Sequence, residues 1–401
     1  MSPIAGNQAR TALVLLRELE PLIGRERALP AHIQTRLAKE KRFGSRDRRL
    51  YRELLYTAVR YWPWVRELQA RGDEAVVRAL VWLATPMPAL SALLEAHPRP
   101  EPYPDTLEGR AALLGVQSSL LPAWTARECP EAGLPPEIEV LHTRAPLWLR
   151  LREDARDDVL AEFSTLGWSW RTTPASAAAV ELSSDVDVTR TLAFERGGFE
   201  VQDLGSQLLL PLAAPAIGQR WLDACAGAGG KTLQLAELLG PQGAVDAHDI
   251  RESALAELVA RARRAGAKNV SLTRSPKGEY DGVLVDAPCS GSGTWRRAPH
   301  LKWCTSEADL ARAAERQLRL LRQFSAHVRP GGTLVYATCS LARRENEDVV
   351  RDFLAQSPAF ARAELAGAPG EVATDGKAGF TIWPSRWNTD GFFVAKLVRA
   401  A

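Results

Sequence analysis

At 401 residues the chain is too long for one ordinary hydrophobic core, so two or three domains are expected, and 46% hydrophobic with 25% charged residues is the balance of a folded, water-soluble protein. The apolar run 11–16 is short and followed by Arg17, Glu18 and Glu20, and the stretch 79–94 is broken by Pro86 and Pro88, which excludes a signal peptide, a membrane span and a membrane partner. Five cysteines with no Cys-x-x-Cys pair and no histidine at ligand spacing exclude a disulfide framework and a structural metal. They point to a reducing cytoplasm, where the chain is expected as a monomer.

The first hundred residues carry helical periodicity, as in Leu15, Leu16 and Leu19 or Leu50, Leu54, Leu55, Ala58 and Val59, so a small all-helical domain opens the chain over 1–143. Within it, residues 36–60 hold nine basic side chains against three acidic ones, although the net charge of the whole chain is only +3. A run of one sign in a near-neutral chain suits a polyanion better than a solvated face, and Arg46, Arg48, Arg49 and Arg52 are the candidate phosphate contacts. Prolines at 98, 100, 102 and 104 interrupt the helices, and a further helical patch is expected over 107–124. Trp62, Trp64, Trp82 and Trp124 are read as core of this domain, not as a base-stacking platform.

From Pro146 the pattern changes. A strand over 147–151, a helix over 154–166 and a strand over 168–171 predict a small α/β connector spanning 144–200. From residue 201 to the end, strands (220–223, 244–249) alternate with helices (231–239, 252–265), which predicts an α/β domain with a doubly wound, mostly parallel sheet.

The loop Asp223-Ala-Cys-Ala-Gly-Ala-Gly-Gly-Lys-Thr232 joins a strand to a helix, so its backbone can approach a ligand closely. A phosphate-binding P-loop would need glycine at Cys225, and a dinucleotide fingerprint would need glycine at Thr232. A nucleoside cofactor such as S-adenosylmethionine remains. Asp249, at the end of the next strand, is placed to accept the ribose hydroxyls, with a helix cap as the alternative role. Asp286 and Cys289 follow the apolar strand 282–285, and Cys339 follows the strand 333–337, so an acid and two thiols stand at strand ends, where α/β sheets place their sites. Cys129, Cys304 and Cys225 are read instead as small apolar residues.

The run 223–232, then Asp286-Ala-Pro-Cys-Ser-Gly, Pro299-His-Leu-Lys-Trp303, Ala337-Thr-Cys-Ser340 with Glu345-Asn-Glu, and Asp390-Gly-Phe-Phe-Val-Ala-Lys396 resembles the Sun (Fmu) family of RNA cytosine-5 methyltransferases. Gly198-Phe-Glu-Val-Gln-Asp-Leu-Gly-Ser-Gln207 is similar to the segment leading into that family's catalytic domain, and the basic start, Arg46-Asp-Arg-Arg-Leu-Tyr-Arg-Glu-Leu and Val59-Arg-Tyr, resembles the NusB-like RNA-binding domain of its bacterial members. The resemblance implies a Rossmann-like class I methyltransferase domain, S-adenosylmethionine as cofactor and 16S ribosomal RNA as partner, with transfer RNA as the alternative substrate. It implies cofactor contacts from Cys225, Ala226, Gly227, Ala228, Gly229, Gly230, Lys231, Asp249 and Asp286.

For catalysis it implies Cys339 as the nucleophile that adds to carbon 6, Asp286 as an acid toward N3 in an apolar cleft, and Cys289 as the residue that completes release. DNA enzymes instead draw their nucleophile from a Pro-Cys motif, which would reverse the two cysteines. Lys302 is expected to neutralise phosphate near the target base, as are Arg296 and Arg297. Gly227-Ala228 stands where the family commonly has Ala-Pro, and 269–275 lacks the usual aspartate near the adenine, offering Arg274 or Ser275. A non-catalytic RNA-binding factor retaining the fold is the rival reading, against which stand both cysteines, Asp286 and Asp249.

Overall fold

The computed structural model describes residues 2–183, 186–366 and 379–401. Two compact units emerge: a helical unit from residues 2–144 together with Thr294–Glu307, and an α/β unit from the rest.

In the helical unit the main helices are Pro3–Leu19, Leu29–Lys39, Ser45–Arg60, Trp62–Gln69 and Asp73–Leu83. Ser45–Arg60 shows why the sequence folds this way: Leu50, Leu54, Ala58 and, one position on, Tyr51, Leu55 and Val59 recur every third or fourth residue and are all buried. Trp62, Trp64 and Trp124 lie in this unit's interior, with Trp82 half-buried against it. The expected patch over 107–124 is shorter than its composition suggested. Helix Leu107–Leu114 ends at Gly115, whose φ of +67° supplies a left-handed cap.

Thr294–Glu307 departs from the expected boundaries, which kept 201–401 in one domain. The fully buried Trp295 meets Trp124 edge-on at 5.7 Å between ring centroids, and the Trp303 indole donates to the Val59 carbonyl at 2.6 Å. The chain therefore leaves the α/β unit after Gly293 and rejoins it at Ala308.

In the α/β unit, β1 (Leu147–Leu151), β2 (Trp170–Thr173), β3 (Ser176–Leu182) and β4 (Phe199–Val201) form an antiparallel sheet in the order β2-β3-β1-β4. These strands fall in the span expected to form a connector, and they pack into the same unit as the large sheet. The Trp148 indole donates to the Asn388 carbonyl at 2.9 Å, and the buried Arg150 bonds Gln202 at 2.7 Å and pairs with Glu237.

The large sheet contains β5 (Arg220–Asp223), β6 (Ala244–Ala247), β7 (Val270–Leu272), β8 (Tyr280–Asp286), β9 (Val328–Thr338), β10 (Phe360–Arg362), β11 (Phe380–Ile382) and β12 (Phe392–Arg399). Their order is β10-β12-β9-β8-β5-β6-β7, with β11 also on β12. β5 to β9 run parallel and β10, β11 and β12 antiparallel. The chain builds outward from β5 through β6 and β7, then reverses to β8 and β9 on the other side. That switch point opens a crevice at the carboxyl ends of β5 and β8. Among the described residues no helix is long and apolar enough to cross a membrane.

Trp221 of β5 lies opposite Gly282 of β8, and a Cβ at Gly282 would overlap the indole ring. Gly282→Ala should destabilise the α/β unit by about 1–3 kcal/mol through overpacking, read as a lower urea midpoint with an unchanged slope.

Candidate active site

The loop after β5 is held by its own ends. The buried Asp223 accepts from the Thr232 hydroxyl at 2.7 Å, while the Ala226 amide donates to the His248 carbonyl and the Gly229 amide to the Ala226 carbonyl, both at 2.9 Å. Gly227 and Gly229 take φ of +54° and +89°, and a Cβ on Gly229 would overlap Leu258, so glycine is required there by both backbone and packing. Arg261 braces Ala228 from outside at 3.0 Å. Gly230 and Lys231 begin helix Gly230–Leu239, leaving first-turn amides at the crevice. Burial, followed by the charges of Asp223, Asp286 and Asp249, raises the Cys225 thiol, so it stays protonated.

Asp249 lies beyond β6 beside this loop. One oxygen accepts from the Arg251 amide at 2.8 Å and its guanidinium at 3.0 Å, the other from the Gly227 amide at 2.8 Å and the guanidinium at 3.0 Å. Burial raises this carboxyl, but the Arg251 and Gly227 bonds outweigh it and the net shift is downward. The helix that follows is capped at Arg251. Asp249 thus ties loop to strand end, and a ribose would share it only by displacing the exposed Arg251 side chain. Ile250 next to it is 89% exposed, an apolar side chain left in solvent beside that acid. Arg274, in the segment that lacks the usual aspartate, pairs with Glu252 on the surface at 3.0 Å.

The two cysteines meet. Cys289 Sγ and Cys339 Sγ are 3.3 Å apart, both as free thiols, because β8 and β9 are adjacent parallel strands and each cysteine follows one of them. Contact with Cys339, then burial, then the charges of Cys339 and Glu345 push the Cys289 thiol well above its usual range. Lys231 reaches in from the loop helix and its ammonium contacts Asp286 at 2.8 Å. Burial would lower that ammonium, but the Asp286 carboxylate, with the charges of Cys339 and Asp223, raises it. The apolar setting expected for Asp286 is thus corrected: a fixed positive charge stands beside it.

Glu345, quoted in a motif but given no role, is fully buried beneath the cysteines and bonds both serines that follow them. The repetition of Cys-Ser at 289–290 and 339–340 was the available signal.

Lys302 corrects a second expectation. It is 1% exposed, and its Nζ donates to the carbonyls of Arg60 at 3.0 Å and Leu120 at 3.3 Å and to His142 Nε2 at 2.8 Å. His142 Nδ1 meets the Ile138 carbonyl at 2.6 Å and so carries the ring proton, which leaves Nε2 to accept. Burial first, then the charge of Arg60, lowers the Lys302 ammonium, and its enclosure by these three partners keeps it out of reach of a phosphate. Arg296 is likewise buried, bonding Thr143 and the Arg144 carbonyl. In the basic run, Arg60 is buried and Arg36 is paired with Glu18 and Glu40, whereas Arg46, Arg49 and Arg52 are exposed and Arg48 is half-buried. Among the described residues no group of three or more His, Cys, Asp or Glu could hold a metal.

This architecture recurs in known proteins. The crystal structure of PH0851 matches with a TM-score of 0.73 at 21% identity, over 97% of this chain and 98% of that one. A methyltransferase homolog protein from Pyrococcus horikoshii matches with a TM-score of 0.57 at 26% identity, over 68% of this chain and 92% of its own. The fold is that of a Rossmann-like methyltransferase domain joined to an all-helical one. A family model described as 16S rRNA methyltransferase RsmB/F matches residues 210–398, and ribosomal RNA small subunit methyltransferase B of Klebsiella pneumoniae subsp. pneumoniae is 36% identical over 295 residues, 70% of this chain. Over these spans the chain is similar to the RsmB/F methyltransferases. It spans 66% of that relative's length, just under two thirds.

Burial raises the Asp223 carboxyl from 3.8 to about 7, against the opposing Thr232 bond and with the Asp286 charge adding to it. The folded state therefore holds a proton that the unfolded chain releases above pH 4, and this contribution to stability is lost as pH rises through about 7. Asp223→Asn should lack that component: the stability of the wild type relative to the variant should fall between pH 4 and 8 in denaturant titrations.

Proposed function

We propose that this protein methylates carbon 5 of a cytosine in 16S ribosomal RNA, with S-adenosylmethionine as donor and a covalent cysteine adduct as intermediate. The observation that carries the reading is the pair of free thiols 3.3 Å apart beside an acid and a glycine loop. The cofactor fits the residues present. Positive φ at Gly227 and Gly229 turns the loop tightly into the helix that begins at Gly230, whose first-turn amides are open to a ligand, Asp249 offers a ribose acceptor, Ile250 an apolar face for the base, and Lys231 with Asp286 closes the inner end. Residues 225–231 would line it. When bound, the cofactor supplies an electrophilic methyl group.

The chain's own residues make the cytosine reactive. Carbon 5 is a poor nucleophile until the Cys339 thiolate adds at carbon 6, breaking the 5,6 double bond and moving its electron pair toward N3. A proton from the Lys231–Asp286 pair at N3 balances that charge. Once carbon 5 carries the methyl group the N3 proton returns to the Lys231–Asp286 pair; Cys289, having lost its own proton to solvent, takes the remaining carbon 5 proton as thiolate, the 5,6 double bond re-forms and Cys339 leaves as thiolate. Cys289 lies 3.3 Å from the Cys339 sulfur, within reach of a proton on a base held by that sulfur. A base stacked in a duplex cannot reach two thiols in a crevice, so a loop or a still-unfolded region of RNA is the substrate. The helical unit serves as the NusB-like RNA-binding part, through Arg46, Arg48, Arg49 and Arg52.

Cys289→Ala incubated with RNA and cofactor should give a band that survives denaturant and vanishes in the double variant with Cys339→Ala. Cys339→Ala alone should give neither adduct nor product. Adduct trapped only by Cys339→Ala would reverse the two roles.

Replacing Arg46, Arg48, Arg49 and Arg52 together by Gln should weaken RNA binding and lower the slope of log affinity against log salt by roughly 0.7–0.9 per lost phosphate contact. Cofactor affinity should be unaffected. An unchanged slope would remove this helix from the RNA surface.

A further inference from the structure

Buried carboxylates normally answer to one cation. Glu345, which is 0% exposed, answers instead to four neutral donors: the Ser290 amide at 2.8 Å, the Ser290 hydroxyl at 2.5 Å, the Ser340 hydroxyl at 2.6 Å and the Gln317 amide group at 3.1 Å. Ser290 directly follows Cys289 and Ser340 directly follows Cys339, so one side chain grips both cysteine-bearing turns. The grip is itself anchored. Tyr336 donates to the Glu345 carbonyl at 2.5 Å, Thr338 bonds Asn346 at 2.6 Å, and Asn346 donates to the Ser340 carbonyl at 2.9 Å. Ser292 completes the layer, contacting the Ser340 hydroxyl at 3.1 Å and accepting from the Leu341 amide at 2.8 Å. Gln317 also donates to the Pro288 carbonyl at 3.1 Å, one residue before Cys289.

Parallel strands fix only their own spacing. Beyond the strand ends, the turns that carry the sulfurs have no ladder to hold them, and two turns free to shift independently would not keep two thiols at 3.3 Å. A polar network buried beneath both turns does so, with every Glu345 contact made by a donor and only the Gln317 Oε1 left without a partner among the described residues, because moving either turn would leave a desolvated carboxylate short of a donor. We propose that Glu345 is a positioning residue that sets the spacing of the Cys289 and Cys339 sulfurs, and so the alignment of base and nucleophile on opposite sides of one addition and elimination. The catalytic consequence rests on the function proposed above, whereas the spacing itself does not.

The test separates the two. Diamide takes two hydrogens from neighbouring thiols and leaves a disulfide, so the rate at which it joins Cys289 to Cys339, mapped by mass spectrometry without RNA or cofactor and normalised to each variant's thiolate fraction, reads the sulfur spacing. In Glu345→Gln, which keeps the shape but turns one acceptor into a donor facing other donors, cross-linking should slow by about tenfold or more, and kcat should fall by about 10- to 100-fold with KM for RNA within about twofold of wild type. Ser340→Ala, which removes one of the four donors, should move both readouts in the same direction by less, and it carries the test if Glu345→Gln does not fold. Cross-linking at the wild-type rate in the folded variants would overturn the proposal whatever happens to kcat. A wild-type protein that transfers no methyl group to RNA would instead remove the proposed function and leave the cross-linking comparison to decide the spacing.

Discussion

Parallel pairing of β5, β8 and β9 is the constraint on which the site depends. Neighbouring strands lie about 4.8 Å apart, and when they run parallel their carboxyl ends emerge on one edge of the sheet. The glycine loop after β5, Asp286 after β8 and Cys339 after β9 therefore reach one crevice although more than a hundred residues separate the first from the last. Tight packing maintains the register. Trp221 fills the space that Gly282 leaves empty, so the side chain on one strand is matched to the lack of one on the next.

On this edge the electrostatics assign tasks to chemically similar groups. Three acids lie close together, yet they differ in what surrounds them. Asp223 is sealed in and is pushed up to about 7, Asp249 is pulled down by Arg251 and the Gly227 amide, and Asp286 is joined to Lys231. The cysteines are treated in the same way. The thiols of Cys225 and Cys289 are both pushed up, the first chiefly by burial and the second chiefly by its contact with Cys339. These differences arise from burial and partners rather than from residue type.

The helical unit depends on a different balance. Lys302, Arg60 and Arg296 place cationic side chains in an interior where unpaired charge is costly, and each is answered by backbone carbonyls, with His142 completing the shell of Lys302. Between Trp295 and Trp303 the chain that has just passed Cys289 is thereby built into the core of the helices that carry the exposed arginines. The basic run divides along the same line, with some of its charges buried or paired and others left on the surface.

Local sequence determined a good deal. Helical repeats marked the helices, the interval between Leu50, Leu54 and Ala58 gave the buried face of Ser45–Arg60, and the strands leading to Asp223 and Asp286 could be read from short apolar runs ended by turn residues. The glycine loop and the two cysteines were legible because backbone freedom and thiol chemistry belong to the residues themselves. What only the tertiary structure decided was which polar groups lose water and what replaces it. Lys302 read as a surface charge because nothing adjacent to it in sequence shows that Arg60, Leu120 and His142 converge on its ammonium, and Glu345 read as part of a motif because its partners, Ser290 and Gln317, lie 55 and 28 residues away. Periodicity reports the face a residue presents within its own element. Desolvation depends on which distant element covers that face, and that is settled only when the chain packs.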